Sequence, residues 1–359
     1  MTRIEKVIER MKKEKMDALV INDPSSIDYL IGYKNSPGER MFVLLIDTNN
    51  HPVLFMNNLF YLDQKLDMDM VFYSDTDDYV ELLADHVKKY NTVGIDKLFP
   101  AKFLMPLMAQ CEETIFTLGS ECVDKVRMIK DEEEIKLMRE ASRLNDLAID
   151  QVISIVSKGN LSEKEVSAKL PEIWESLGCS GNSFEPIVGY GKNGADNHHS
   201  GDDSLIQVGD SCVIDMGGIY KDYCSDMTRT VFYKEVSEEK KTVYNLVLKA
   251  QLAAEAIIKP GVKLSTIDKT ARDIIKEGGY TKEFNHRLGH FIGRDVHEWG
   301  DVSQGFDLEV EEGMIFSIEP GVYLKDHFGV RIEDLVLVTK DGCEVLNHYS
   351  KDLLVVGND

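Results

Sequence analysis

The sequence predicts two domains of different class, a small α/β domain over residues 1–123 and a larger α+β domain over residues 124–359. Three observations predict this. Helix and strand patterns alternate through about the first 120 residues. A charged helix start, Asp131-Glu-Glu-Glu134, then marks a new beginning. Beyond it, long helical patterns and β-hairpin patterns come in separate runs. A chain of 359 residues is long enough to bury a core in each domain.

The first domain opens on MTRIEKVIERMKKEK, where Ile4, Val7, Ile8 and Met11 recur at helical spacing with charges between them. That pattern predicts an amphipathic helix and not a signal peptide, which needs an uninterrupted apolar core. Ala18–Ile21 reads as a strand ending in Asn22-Asp-Pro-Ser-Ser26, a turn and helix-cap cluster. Residues 41–46 and 52–55 read as a hairpin across Asp47-Thr-Asn-Asn50. A helix over about 77–90 and strands at Thr92–Ile95 and about 114–118 follow. No glycine-rich phosphate loop and no ligand-spaced cluster of histidines and carboxylates occurs here. The domain is expected to shape an entrance or an oligomer contact.

In the second domain a helix is expected from Asp131 past Ile155, then a helical pattern over residues 162–177 that Pro171 divides. Residues 180–201 form a glycine- and asparagine-rich loop around a short strand at residues 186–190, and carry Asn193-Gly-Ala-Asp-Asn-His-His199. Two further helices, residues 237–259 and 264–277, are separated by Pro260-Gly261.

The composition is that of an ordinary globular protein, 43% hydrophobic and 29% charged. A net charge of −22 repels nucleic acid and anionic membrane surfaces, so neither is an expected partner, and it concentrates cations. No run approaches the ~18 apolar residues of a membrane span. Six cysteines are scattered without CxxC spacing and read as packing thiols in a reducing cytoplasm.

The chemistry begins in residues 213–232, VIDMGGIYKDYCSDMTRTVF, which read as a β-hairpin. A turn centred between Tyr220 and Lys221 sets Asp215 opposite Asp226, with Cβ atoms roughly 4.5–5.5 Å apart, where like charges destabilise. Either a cation lies between them or, more plainly, Asp226 pairs with Arg229. Downstream, Arg287-Leu-Gly-His-Phe-Ile-Gly-Arg-Asp-Val-His-Glu298 holds His290 and His297. Residues 317–323 and 329–334 read as two strands of one hairpin, with Glu319 and Glu333 beside apolar strand residues. Glutamate facing into a buried strand is rare unless paired or coordinated.

Asp215, Asp226, His290, Glu319 and Glu333 together supply four carboxylates and one imidazole. The set is too oxygen-rich for structural zinc and suits two bridged divalent ions, with manganese, cobalt, iron or zinc all admissible. Such a pair lowers the pKa of a shared water and polarises a carbonyl, which is hydrolytic chemistry.

The ordered set Asp215-x10-Asp226, Gly289-His290, Val296-His297-Glu298, Glu319-Pro320-Gly321 and Arg331-Ile-Glu333 resembles the pita-bread metallopeptidases, the group of methionine aminopeptidase, aminopeptidase P, prolidase and creatinase. The likeness covers the whole second domain. The first resembles the creatinase-type N-terminal domain, through Asp28-Tyr-Leu-Ile-Gly32 and Val126-Arg-Met-Ile-Lys130. By that resemblance Asp215 and Asp226 chelate one ion, Asp226, His290, Glu319 and Glu333 surround the other, and Asp226 and Glu333 bridge. Glu319 also takes the proton of the attacking water. His198 contacts the substrate or its leaving nitrogen, and His297 stabilises the tetrahedral oxyanion. Thr228 and Arg229 orient the aspartates. Arg331 pairs with a ligand carboxylate or with the substrate's.

Three positions depart from the family pattern. Asn197 precedes His198 where the family often has proline, which leaves His198 and His199 as alternatives. Phe291 stands where many members have glycine. No arginine occurs between Glu298 and Glu319, so a substrate carboxylate must be anchored otherwise.

The expected function is hydrolysis of Xaa-Pro dipeptides by a water activated at two divalent ions, manganese or cobalt first, in a cytoplasmic homodimer. The rivals are an aminopeptidase P acting on longer Xaa-Pro peptides, a creatinase-like amidinohydrolase, and a non-enzymatic binding protein of the same fold. The last two have no need of all five ligands.

Overall fold

The computed structural model describes residues 1–62 and 65–358. It divides between Arg127 and Met128 into two compact units.

The strands of the first unit are β1 (Ala18–Ile21), β2 (Val43–Asp47), β3 (Val53–Asn57), β4 (Asp69–Tyr73), β5 (Thr92–Ile95) and β6 (Ile115–Leu118). They form one mixed sheet in the order β4-β3-β2-β1-β5-β6. Its helices are α1 (Arg3–Lys13), α2 (Pro24–Ile31), α3 (Tyr79–Val87), α4 (Ala101–Gln110) and α5 (Glu121–Arg127). Alternation along β1 serves two cores. Leu19 and Ile21 pack with α1, α2 and α5, while Ala18 and Val20 pack with α3 and α4. The hairpin across residues 47–50 is present, with Val43 paired to Phe55. Because Cys122, Val123 and Val126 of α5 belong to the first core, the expected 123/124 boundary falls inside a helix, and the division lies four residues later.

The second unit opens on α6 (Glu132–Ser157), which the charged run starts as expected. The Asp131 carboxylate accepts from the amides of Glu133 and Glu134, and the Glu134 carboxylate accepts from the Asp131 amide. The helical pattern before the loop is divided near Pro171 into α7 (Glu163–Ser167) and α8 (Leu170–Ser176). Next come β7 (Ile187–Tyr190), β8 (Ser211–Met216), the ribbon β9 (Ile219–Tyr220) and β10 (Tyr223–Cys224), and β11 (Met227–Tyr233). Helices α9 (Glu238–Ala256) and α10 (Leu264–Glu277) lead to β12 (Gly289–Phe291), β13 (Glu298–Val302), β14 (Ile315–Ile318), β15 (Gly321–Leu324), β16 (Phe328–Arg331), β17 (Asp334–Val338), β18 (Cys343–Val345) and β19 (Val355–Val356). One sheet runs β19-β11-β8-β7 and the other β13-β12-β14-β17-β18. The first packs on α6 and α8 around Trp174, the second on α9 and α10 around Phe291 and Phe316.

Two hairpins of like construction carry the site. The first turns at Lys221-Asp222, both left-handed with φ of 47° and 66°, one residue beyond the expected turn centre. Asp215 consequently pairs with Thr228, and Asp226 lies just outside β11. A shift of two residues keeps a side chain on its face, so the aspartates are diagonal neighbours and not direct opposites. In the second hairpin, β14 pairs with β17 and β15 with β16 in one register, interrupted at Glu319-Pro320 and at Ile332-Glu333. Pro320 has no N–H to give a ladder. At the break the backbones are tied elsewhere, the Glu319 amide to Leu288 O at 2.8 Å and the Glu333 amide to Thr228 O at 3.1 Å. Each interruption thus places a carboxylate where a neighbouring segment fixes its backbone.

Candidate metal centre

Asp215, Asp226, His290, Glu319 and Glu333 line a single cavity of about 630 Å³, together with His198, His297 and Arg331. Asp226, His290 and Glu333 form its tightest group, each offering a ligand atom within 4.8 Å of the others. His290 Nε2 stands 3.4 Å from Asp226 Oδ2 and 3.6 Å from Glu319 Oε1. Its Nδ1 contacts the Phe291 carbonyl at 3.2 Å. A carbonyl only accepts, so the proton sits on Nδ1 and the Nε2 lone pair faces the carboxylates.

Acceptors facing acceptors need a cation. Asp215 Oδ1, Asp226 Oδ1 and Glu333 Oε1 are buried with no hydrogen-bond partner among the described residues. Buried polar atoms are nearly always paired, so three orphaned carboxylate oxygens in one cavity fit divalent ions. Without a cation, Asp226 and Glu333 favour the protonated form. Burial, then the charge of Asp215, pushes the Asp226 carboxyl well above the carboxylate range. Burial and the charges of Asp226, Glu319 and Asp215 do the same to Glu333. Burial raises Glu319 to about 7, and it also depresses His290, keeping the imidazole neutral. A hard cation relieves each of these penalties.

The groups behind the ligands are explicit. Arg331, 3% exposed, donates from Nη2 to Asp215 Oδ2 at 2.6 Å, from Nη1 to the Tyr323 hydroxyl at 2.8 Å and from Nε to Thr228 Oγ1 at 3.0 Å. Thr228 in turn donates to Glu333 Oε2 at 2.7 Å. Arg331 therefore holds the Asp215 carboxylate. Thr228 orients a glutamate, not the aspartates. Arg229 does not pair with Asp226 either. It donates to Asp334 Oδ1 and to the Glu333 carbonyl, both at 2.7 Å, fixing the backbone that carries Glu333.

The loop alternatives separate. His199 Nε2 lies 2.6 Å from Glu163 Oε2, while His198 is exposed and lines the cavity. Glu163 also accepts from the Tyr190 and Asp202 amides and from Asn193, so the candidate group Glu163, His199 and Asp202 is internally satisfied and latches the loop. His297 stacks edge-on against His290 with centroids 4.3 Å apart, and desolvation lowers it to about 4. Its neighbour Glu298 is held by the buried Lys130 ammonium at 2.9 Å.

Sequence reasoning missed His286, Tyr323 and Glu163. His286 lines the cavity, contacts the Arg287 carbonyl through Nδ1 at 2.7 Å and the Tyr323 hydroxyl through Nε2 at 3.1 Å, and burial lowers it to about 3. Its four-residue spacing from His290 was the available signal. Gly321 is required here, because a Cβ would enter the Tyr323 ring.

Comparison with known proteins identifies the family. The profile of the Creatinase/Prolidase N-terminal domain matches residues 3–129, and that of metallopeptidase family M24 matches residues 136–340. An uncharacterized peptidase of Staphylococcus aureus is 36% identical over 360 residues, covering 98% of this chain and all of the relative. The prolidase of Pyrococcus horikoshii superposes with a TM-score of 0.89 at 32% identity, over 98% of this chain and 99% of that one. The X-Pro aminopeptidase of Thermotoga maritima superposes with a TM-score of 0.82 at 31% identity, over 97% and 100%. The creatinase-type α/β domain followed by an α+β pita-bread domain is thus the architecture of the whole chain. With four carboxylates and one imidazole gathered on two interrupted hairpins and one strand, the chain belongs to metallopeptidase family M24.

Proposed function

We propose that this enzyme hydrolyses Xaa-Pro dipeptides at two divalent ions, manganese or cobalt, held by Asp215, Asp226, His290, Glu319 and Glu333, in a cytoplasmic homodimer. The orphaned carboxylate oxygens around one cavity carry the reading. Likeness to a prolidase over nearly the full chain supports the substrate. Divalent ions held by these residues would supply an acidified water and polarisation of the scissile carbonyl.

The side chains do the remaining work. Glu319, beside His290 and steadied by Ser317 Oγ at 3.2 Å, takes the proton of the attacking water and passes it to the leaving imide nitrogen. Water oxygen bonds to the carbonyl carbon, the C–N bond breaks, and the Xaa acid and proline leave. His297 and His198 donate to the developing oxyanion and to the substrate. Phe184, Ile187 and Val296 give the cavity an apolar wall for the substrate's side chain and ring. An imide nitrogen has no N–H, which defeats enzymes that grip that proton.

A second reading, release of the N-terminal residue from longer Xaa-Pro peptides, draws on the likeness to an X-Pro aminopeptidase. A neighbouring cavity of about 830 Å³ shares Asn197 and Tyr323 with the first and gives a longer peptide room. Manganese- or cobalt-loaded protein assayed on Xaa-Pro and Xaa-Pro-Xaa peptides decides. Preference for the dipeptide is expected, and cleavage of the longer peptides alone sinks the dipeptidase reading.

A further inference from the structure

We propose that Arg287 grips the free carboxylate of the substrate's proline and so makes the enzyme a selector of dipeptides. This deepens the Xaa-Pro reading and rests on it. A dipeptide differs from a longer peptide at that point by one negative charge, and the cavity holds two arginines to meet it, Arg287 and Arg331. Arg331 is 3% exposed, with Nε, Nη1 and Nη2 engaged by Thr228, Tyr323 and Asp215. Turning it to the substrate leaves Asp215 without its partner. Arg287 is free to act. Its side chain is 36% exposed, and its one side-chain hydrogen bond among the described residues runs from Nη1 to Asp301. The Nε–Nη2 edge is left open, and that edge is the fork that takes a carboxylate through two parallel N–H bonds.

The fork is held in place. Asp301 on β13 pairs across the strands with His290, so the guanidinium is tethered beside the ligand histidine. The backbone beneath is fixed as well. The Arg287 carbonyl contacts His286 Nδ1 at 2.7 Å, and the Leu288 amide donates to Val302 O at 2.9 Å. In the stretch from Glu298 to Glu319, which has no arginine, Asp301 serves as the tether of an arginine that comes from the other side of His290.

The test compares Xaa-Pro dipeptides with the same peptides amidated at the proline, in metal-loaded parent, Arg287→Met and Asp301→Asn proteins. A charged, two-donor contact corresponds to about 10- to 100-fold in affinity. Arg287→Met is expected to raise KM for the free dipeptide by about that factor while kcat stays within a few-fold and KM for the amide is unchanged. Asp301→Asn, which keeps the Arg287 guanidinium but neutralises the carboxylate that tethers it, is expected to give a smaller rise confined to the free acid. Equal losses on acid and amide, or no loss on either, overturn the assignment. Metal content and circular dichroism of each variant identify a folding failure, in which case Asp301→Asn decides. If the parent cleaves no Xaa-Pro peptide, free or amidated, the functional reading itself fails and is distinguished from this one.

Discussion

Replacing Glu319 with Gln is expected to make the metal-free protein more stable while abolishing its chemistry. Glu319 is largely enclosed, its side chain 15% exposed, in a cavity with Asp215, Asp226 and Glu333, and its carboxyl rises from 4.5 to about 7. A proton affinity raised that far in the folded state opposes folding wherever the unfolded chain is ionised. The cost is nil below about pH 4.5, grows between 4.5 and 7, and is complete above about 7. At full ionisation it amounts to about 3 kcal/mol. Gln keeps the shape, carries no charge and can offer an N–H to His290 Nε2. Both tryptophans, Trp174 and Trp299, belong to the second unit, so their fluorescence follows that unit through a denaturant transition. In chelator near pH 8 the variant is expected to exceed the parent by about 3 kcal/mol, and the two are expected to converge near pH 4.5. Excess manganese is expected to reverse the order, because the parent gains binding energy the variant cannot. A variant less stable than the parent in chelator at pH 8 refutes the picture of a carboxylate cage strained by its ionised Glu319.

The same cage makes metal affinity pH-dependent. It is expected to rise by about tenfold per pH unit for each proton released, between roughly pH 6 and 8, in a competition titration. Thr228→Val removes the donor to Glu333 Oε2 and the acceptor of Arg331 Nε, and is expected to weaken metal binding by about 10- to 100-fold without unfolding the chain. Glu163→Ala strands the buried Tyr190 amide, removes the acceptor of His199 and unlatches the His198 loop. It is expected to cost about 1–3 kcal/mol and to lower kcat, whereas the metal affinity stays at the parental value. Gly289→Ala drives a Cβ into the Ser317 carbonyl and is expected to destabilise by about 1–3 kcal/mol in the same fluorescence assay.

Much of the site is legible in the sequence because its carboxylates break local rules. Glu319 and Glu333 stand among Ile318, Val330 and Ile332, where a charge has no reason to be unless something binds it. The register of the first hairpin is not legible to one residue, since nothing in Ile219-Tyr-Lys-Asp-Tyr-Cys224 marks Lys221 and Asp222 as the pair that adopts positive φ without a glycine. Arg229 lies three residues from Asp226 and invites an ion pair, yet the strand carries it toward Asp334 on the second hairpin, a contact 105 positions away. Glu163 looks like one more acid at a helix start, and only the folded loop shows it accepting four hydrogen bonds. In the first unit α4 is hidden by Pro106 inside it, and β4 by its mostly half-exposed course, which shows no clean apolar alternation.

Turnover of an Xaa-Pro dipeptide, measured as divalent ion is added stepwise to chelator-stripped protein, tests the central claim most directly. Activity is expected to start from zero and to reach its plateau at two equivalents of manganese or cobalt per chain. Full activity in the stripped protein, or none at any metal loading, contradicts it.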